Sequence, residues 1–523
     1  MGNIKCFLNG KIYVSYIPRR VVEAIAVANG RIIYAGSSRY VERICREFGG
    51  VSIDLNGRVV LPGFIDSHIH LTSLGLYLNA LDLRGVRSIE EIKRLLYEYS
   101  RRVKTSWIFG HGWDQELFYE RRLPTRWDID EVVSDRPVVL TRTCLHVAVL
   151  NTRAMEITGL INSNIPGVIR DERGIPIGIV VKDALKHVFE YFMKTLSIED
   201  YKKILIDAMR FLASYGITTV AFVNCDDISM KVLNMLNNEN RVIIRIRLYL
   251  NPDRNIIEAL KTIGVSLCSC NNMLRICGVK VIADGSLGAR TAWLSKPYSD
   301  DPTTYGRQNI DEETLYLIAK EVNDIGLQLA VHGIGDRAID MILDVYERLG
   351  DVRNRRHRIE HASLLRDDQI DRMARIGVVA SVQPHFIISD WWAKDRVGER
   401  ARWLYRFRSM IRKGIVIGFG SDAPVETPNP WETIYAAISR GRHEGITYYS
   451  DTQEEVLTID EALHAYTYGS AYIINEEENL GTLEEGKLAD FIVVDRDPFS
   501  VNEKEIRNIK VLETYIGGEK IYP

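Results

Sequence analysis

Short apolar segments alternate with amphipathic stretches through most of the chain, and this alternation constrains the fold more than any other feature. Stretches between the apolar segments, such as 200–214, 338–349 and 366–375, are typical of helices. Repeated strand–helix alternation favours a parallel sheet with crossover helices, and about eight such units close a (β/α)₈ TIM barrel. Seven segments rich in β-branched residues are predicted as strands: 217–223, 243–248, 274–283, 328–331, 357–360, 378–382 and 415–418.

Both ends of the chain are rich in predicted strands instead. Asn29-Gly30 separates two apolar segments and fits a two-residue hairpin turn, and segment 511–522 holds two strands around Gly517-Gly518. We therefore predict a small β-sandwich domain formed from both termini, 1–61 plus 483–523, around a barrel domain of 62–482. Residues from about 71 to 195 are too many for one loop after the first barrel strand, and we expect an insertion that covers the barrel mouth.

Composition limits the classes of partner. The 523 residues carry a net charge of only −3, which gives no electrostatic footprint for nucleic acid. No apolar run approaches the ~20 residues that span a bilayer, and the first residues show no signal-peptide pattern. Seven scattered cysteines, an odd number, argue against a disulfide framework and for a reducing compartment. We expect a cytoplasmic protein whose partner is a small molecule, with no nucleic-acid or membrane partner; a homodimer is a common state for soluble proteins.

The first candidate metal ligands lie in the segment 61–70, whose sequence is LPGFIDSHIH. Side chains at alternate positions of a strand share a face, so Asp66, His68 and His70 point in the same direction. Two such imidazoles can bind one zinc ion. The same pattern also fits two core histidines near a turn, and it does not decide between these alternatives by itself.

Three further residues with metal-binding side chains lie just after predicted strands. His332 follows 328–331, His361 follows 357–360, and Asp422 follows 415–418. Barrel enzymes have their active sites at the C-terminal ends of their strands. Packing alone does not explain why metal-binding residue types recur at equivalent positions of successive units.

Lys280 lies inside the predicted strand 274–283, where an unpaired charge is costly. One interpretation is an ion pair with Asp284 or another carboxylate. The functional interpretation is that burial lowers the pKa of Lys280, so that the neutral amine reacts with CO₂ and the carbamate bridges two metal ions.

The order H-x-H, Lys, His, His, Asp resembles the amidohydrolase superfamily in its binuclear subtype with a carboxylated lysine. The stretches 61–70, GHGWD at 110–114, ADGSLGARTA at 283–292, HGIGD at 332–336 and GSDAP at 420–424 resemble its amidohydrolase-3 branch, which includes the N-substituted formamide deformylases. The ending GTLEEGKLAD at 481–490 resembles the superfamily's return into its sandwich domain.

The resemblance implies a binuclear metal site. His68 and His70 would bind the more buried ion, His332 and His361 the more exposed one, and carboxylated Lys280 would bridge them. Asp422 would complete the coordination and act as general base, then deliver the proton to the leaving amine. Two ions would share a hydroxide and polarise the scissile carbonyl. Zinc is the expected metal, although the ligand types also suit iron, manganese and cobalt.

The sequence also offers candidate substrate contacts. They are Trp113 and His385, with His111, Asp114, Arg290 and His146 as further residues near the expected pocket. Each has an alternative role: Trp113 in packing, Asp114 as a helix cap, and Arg290 in an ion pair with a nearby acid.

The resulting prediction is a metal-dependent hydrolase of a non-peptide C–N bond in an amide, formamide or cyclic amide. A mononuclear deaminase of the same superfamily, with Lys280 unmodified, is the alternative. A third hypothesis is a catalytically silent scaffold. Missing metal-ligand residues would favour it, and none of the expected residues is missing. The sequence does not identify the substrate, because members of such a fold differ mainly in their loops.

Overall fold

The structure is a computed structural model that describes residues 4–103, 105–142, 147–263 and 272–523. The chain forms two compact units. The first consists of Met1–Leu71 with Met209–Pro523, and the second of Thr72–Ala208.

The first unit contains an eight-stranded sheet in which every pair of neighbouring strands is parallel. The end of the eighth strand reaches the end of the first: the Asp422 N–H donates to the His68 carbonyl at 2.8 Å, and the His70 N–H to the Ala423 carbonyl at 3.0 Å. The predicted (β/α)₈ barrel is thereby confirmed. Its strands, in chain and sheet order, are Phe64–Ile69, Ile217–Cys225, Arg245–Leu250, Leu274–Ile282, Gln328–Gly333, Arg358–His361, Val379–Val382 and Ile417–Phe419.

Helices connect these strands, as a parallel sheet requires. The α-helices after the second to sixth strands are Asp227–Asn238, Arg254–Ile263, Glu312–Asp324, Asp336–Leu349 with Val352–Arg355, and Asp367–Ile376. Those after the seventh and eighth are Phe386–Ser389, Ala393–Val397, Phe407–Arg412, Pro430–Ser439, Tyr449–Thr452, Ile459–His464 and Ser470–Ile473. Shorter 3₁₀ segments are Gly398–Trp403, Gln453–Glu455 and Glu503–Asn508, and Ala465–Gly469 is a π-helix turn.

Strands from both termini form two further sheets of the same unit. One has the order Arg31–Gly36, Ala24–Ala28, Ile4–Leu8, Val51–Asp54, and the other Glu519–Tyr522, Val511–Ile516, Phe491–Val494, Val59–Pro62, Lys11–Tyr16, Arg19–Val22. Phe7 and Val27 of the first sheet share one buried core with Phe491 and Tyr515 of the second, which makes a β-sandwich. Helix Ser38–Phe48 packs on the first sheet.

The hairpin at residues 29 and 30 has the predicted turn. Asn29 has φ 52° and Gly30 has φ 77°, the left-handed conformation that a two-residue turn of this kind requires at both positions.

The second unit is built on a six-stranded mixed sheet. Its strand order is Val168–Arg170, Pro176–Val181, Val147–Leu150, Val138–Arg142, Ile108–Trp113, Leu81–Asp82. Its helical segments are Leu71–Leu78, Ile89–Arg102, Gln115–Leu117, Arg126–Asp130, Thr152–Ile157, Leu160–Asn162 and Lys182–Thr195, and Ile198–Ser214 leads the chain back to the first unit. Apolar clusters form on this sheet, one around Trp113 and another around Trp107. The inserted segment after the first barrel strand, part of the predicted fold class, is therefore confirmed.

Within the described residues, no helix is both long enough and apolar enough to cross a membrane.

Candidate metal centre

The six predicted metal ligands all lie in or just after barrel strands, toward their C-terminal ends. His68, Lys280 and His332 are within the first, fourth and fifth strands, His361 ends the sixth, and His70 and Asp422 follow the first and eighth. The C-terminal ends of parallel strands meet at one end of a closed barrel, so residues 354 positions apart in sequence become neighbours. His361 and Asp422 have φ of 72° and 58°, in the left-handed region that non-glycine residues adopt uncommonly and that recurs at active sites.

His68, His70 and Asp422 form the tightest group. The Oδ1 atom of Asp422 lies 3.3 Å from Nε2 of His68 and 3.1 Å from Nε2 of His70. One potential ligand atom from each residue lies within 4.8 Å of the others, close enough for all three to bind one ion.

His361 and His332 extend this group along the barrel end. The ring centroids of His68 and His361 are 4.8 Å apart, and those of His361 and His332 are 4.4 Å apart. The four imidazoles thus form one continuous row. Burial lowers the pKa of His332 to about 3, with a further lowering by Lys280, and burial also lowers the pKa of His361. Both rings are therefore neutral at neutral pH, which is the form that binds metal ions.

Lys280 is fully buried, and its Nζ atom has no hydrogen-bond partner among the described residues. Burial lowers its pKa to about 8, although Glu360 and Asp422 favour the charged form. The ion pair with Asp284, one of the interpretations from sequence, does not form. The Asp284 carboxylate instead accepts backbone N–H groups of Ile334 at 3.1 Å and Gly335 at 2.8 Å.

Asp422 is buried with its carboxylate beside the histidine row. Burial by itself raises the pKa of this carboxyl group, but His68, His70 and His361 outweigh it and hold the pKa well below the usual value. The side chain is consequently ionised at neutral pH, as both a metal ligand and a proton acceptor must be.

Several buried polar partners of the candidate metal ligands were not predicted from the sequence. Nδ1 of His68 contacts the Glu360 carboxylate, and Nδ1 of His361 lies 2.7 Å from Oε1 of Gln383. Nε2 of His332 lies 3.0 Å from the Gly285 carbonyl oxygen. The signal for Glu360 was present, since a glutamate inside a buried strand needs a partner, but nothing local identifies that partner.

The amidohydrolase family model matches residues 52–522.

The chain belongs to this family.

Relatives of this amidohydrolase cover nearly its whole length. YtcJ of Bacillus subtilis, which is named as an amidohydrolase, is 32% identical over 98% of this chain and 98% of its own. The N-substituted formamide deformylase of Arthrobacter pascens is 25% identical over 95% of this chain and 94% of that protein. The crystal structure of an uncharacterized metal-dependent hydrolase from Pyrococcus horikoshii has a TM-score of 0.88 at 40% identity, with 96% of this chain and 99% of that chain covered. The resemblance predicted from the motifs is confirmed.

Two predicted substrate contacts of this amidohydrolase belong to the first unit. His385 follows the seventh strand, and its Nδ1 contacts the carboxylate of Glu426, which also accepts the Ser389 hydroxyl at 2.6 Å. Arg290 forms a two-point ion pair with Asp300, at 2.7 and 3.2 Å, which is the alternative role considered for it. A substrate contact stays a prediction for both residues.

Three further candidates, His111, Trp113 and Asp114, lie in the second unit, and each has a local structural role. His111 stacks on Tyr77 with ring centroids 3.8 Å apart, and burial lowers its pKa. Trp113 is fully buried, and its Nε1–H donates to the Leu140 carbonyl at 2.7 Å. The Asp114 carboxylate caps the segment Gln115–Leu117. Their roles in substrate binding stay predictions, while His146 lies outside the described residues.

Proposed function

We propose that this chain is a metal-dependent hydrolase that cleaves a non-peptide C–N bond in an amide, formamide or cyclic amide. The observation that carries the proposal is the convergence of four imidazoles, a buried lysine without a hydrogen-bond partner among the described residues and an ionised aspartate at one end of the barrel. Residue types of this kind, gathered where barrel enzymes perform their chemistry, favour a metal site over packing.

The side chains fit two divalent cations. We assign His68 and His70 to one ion and His332 and His361 to the other, with Asp422 completing the set. The unsatisfied Nζ of Lys280 supports carboxylation, because its lowered pKa makes the neutral, CO₂-reactive amine accessible near neutral pH. Two divalent cations bound at these side chains would activate a shared hydroxide and polarise the scissile carbonyl. We propose that both ions are zinc.

Asp422 is the proposed general base and acid. Its carboxylate is ionised and lies within 3.3 Å of the imidazoles of His68 and His70, so it can accept a proton from the attacking water. The protonated side chain then delivers that proton to the nitrogen of the leaving amine. The two transfers return Asp422 to its starting state.

The names of the similar proteins support this reaction class. A metal-dependent hydrolase from Pyrococcus horikoshii is 40% identical, and an N-substituted formamide deformylase is 25% identical over most of its length. We therefore propose N-substituted formamides as the first substrates to assay. His385 and Arg290 are the substrate contacts that we would examine first in the barrel unit.

We also propose the domain limits and location drawn from the sequence. These are a sandwich domain of 1–61 plus 483–523, a barrel domain of 62–482 with the insertion at about 71–195, and a cytoplasmic location based on the scattered cysteines.

The first test is the metal content per chain by elemental analysis. Protein produced with zinc and bicarbonate should contain about two metal ions per chain, and Lys280→Ala protein fewer. Hydrolysis of a panel of N-substituted formamides, amides and cyclic amides should follow the metal content. About one ion in both proteins would contradict the carbamate bridge and redirect the search to deaminase substrates. No bound metal in the parent would contradict the proposal itself.

A further inference from the structure

A buried chain of contacts supports His68 on the side opposite Asp422. The Nδ1 atom of His68 contacts a carboxylate oxygen of Glu360, and both side chains are buried. The other carboxylate oxygen of Glu360 lies 2.6 Å from Nε of Arg358. These two residues alternate with Ile359 along the sixth barrel strand, so they share a face of that strand.

Two further contacts hold the guanidinium group of Arg358 in place. Its Nη2–H donates to the Ser67 carbonyl at 3.2 Å, next to His68 in the first strand. Its guanidinium carbon lies 4.0 Å from the ring centroid of Tyr249 in the third strand, a cation–π contact. Three strands of the barrel therefore fix the position of the Glu360 carboxylate.

Such an arrangement is costly for stability alone. A buried ion pair loses the hydration of both charges, and apolar residues of similar volume often stabilise a core equally well or better. Arg358 and Glu360 both have no exposed surface. Packing alone therefore does not explain this buried ion pair, whereas the contact with His68 gives the Glu360 carboxylate a role.

We propose that Glu360 is a positioning residue for metal binding, which rests on the proposed function. Its carboxylate holds a proton on Nδ1 of His68, so that the unprotonated Nε2 faces the metal site. The distance of 3.3 Å between this Nε2 and Oδ1 of Asp422 agrees with that orientation. Carboxylate partners of this kind orient metal-binding histidines and strengthen them as ligands. His361 has the neutral amide of Gln383 at the corresponding atom, so the Nδ1 partners of His68 and His361 differ in charge.

The test measures zinc affinity rather than activity. Zinc-loaded parent and Glu360→Gln proteins are titrated with a chromophoric chelator at neutral pH. We expect the substitution to weaken the binding of one zinc ion by about 10–100-fold. Glu426→Gln is the matched control, because it makes the same change in a carboxylate that contacts Nδ1 of a different histidine, His385. The control should retain the zinc affinity of the parent.

Glu360→Gln also leaves Arg358 charged and buried, and this could prevent folding. The double variant Arg358→Met/Glu360→Gln removes both charges and should show the same loss of zinc affinity. A crystal structure of the zinc-loaded parent needs no variant at all: coordination of zinc by Nε2 of His68 is expected.

Coordination through Nδ1, or a folded variant at position 360 with the zinc affinity of the parent, would overturn the role of Glu360. An equal loss of affinity in Glu426→Gln would overturn it too, since the effect would then not be specific to His68. A parent that binds no zinc would overturn the proposed function instead, and this inference with it.

Discussion

Lys280→Met should stabilise the metal-free protein. Methionine has a similar length to lysine and no charge, so it can occupy the same buried space. Burial lowers the pKa of Lys280 from 10.5 to about 8, even though Glu360 and Asp422 act in the opposite direction. A tenfold change in proton affinity corresponds to about 1.4 kcal/mol, so the folded chain disfavours the ammonium group by about 3 kcal/mol.

The sign of this effect gives it a specific pH dependence. The penalty is fully present below about pH 8, where Lys280 is charged in both the folded and the unfolded chain. It decreases as the pH rises from about 8 to 10.5, because the folded lysine is then neutral and the unfolded lysine progressively loses its proton as well. We therefore expect metal-free Lys280→Met protein to be more stable than metal-free parent at neutral pH, and this difference to shrink by about 3 kcal/mol once the pH exceeds 10.5.

Urea titrations of chelator-treated parent and variant, followed by tryptophan fluorescence, measure this difference. The urea midpoint of the variant should be higher at neutral pH and closer to that of the parent at high pH. Zinc and bicarbonate should reverse the order, because the parent should bind more zinc than the variant and bound ligand stabilises the folded chain. A variant that is no more stable than the parent at neutral pH would refute the reasoning, since the ammonium group would then be well accommodated.

Three further predictions concern Asp422 as the proposed general base, the buried Trp113 and a buried ion pair. Asp422→Asn should lower kcat for hydrolysis by about 10²–10⁴-fold, because the amide cannot accept the proton, and steady-state kinetics at matched zinc content would contradict this if activity stayed within tenfold. Trp113→Phe should lower the free energy of unfolding by about 1–3 kcal/mol, since the Leu140 carbonyl loses its donor at 2.7 Å, without a change in KM; a raised KM in a protein of parental stability would indicate a substrate contact instead. Asp490→Asn should cost about 3–5 kcal/mol in urea unfolding, because it leaves Arg245 buried without the carboxylate now 2.6 Å away, and a loss below about 1 kcal/mol would show that the pair is dispensable.

Most of the fold class could be predicted from the sequence, because the patterns that indicate strands and turns are local. The predicted strand 328–331 became Gln328–Gly333, and 357–360 became Arg358–His361, each shifted or extended by one or two residues. The apolar β-branched runs mark buried parallel strands, and the Asn29-Gly30 pair marks a turn whose backbone few other residues adopt. Residue type alone also identified the candidate metal ligands, since histidines after successive strands have few structural explanations.

The partners of those ligands depended on the tertiary structure. Glu360 contacts a histidine 292 positions earlier, and Asp422 approaches one histidine in the first strand and one just after it, because closure of the barrel brings distant strands together. Local sequence does not encode the stagger between strands that decides which carboxylate meets which ring nitrogen.

The same limit applied to the predicted substrate contacts. Trp113 and Arg290 were selected by residue type and motif, yet one is buried in the core of its unit and the other is paired with Asp300. A side chain's chemistry is a property of the sequence, whereas its exposure and its partners arise only when segments that are far apart in the chain pack together. The sequence by itself therefore determined which chemistry this barrel can support, and the tertiary structure decided which atoms are placed to perform it.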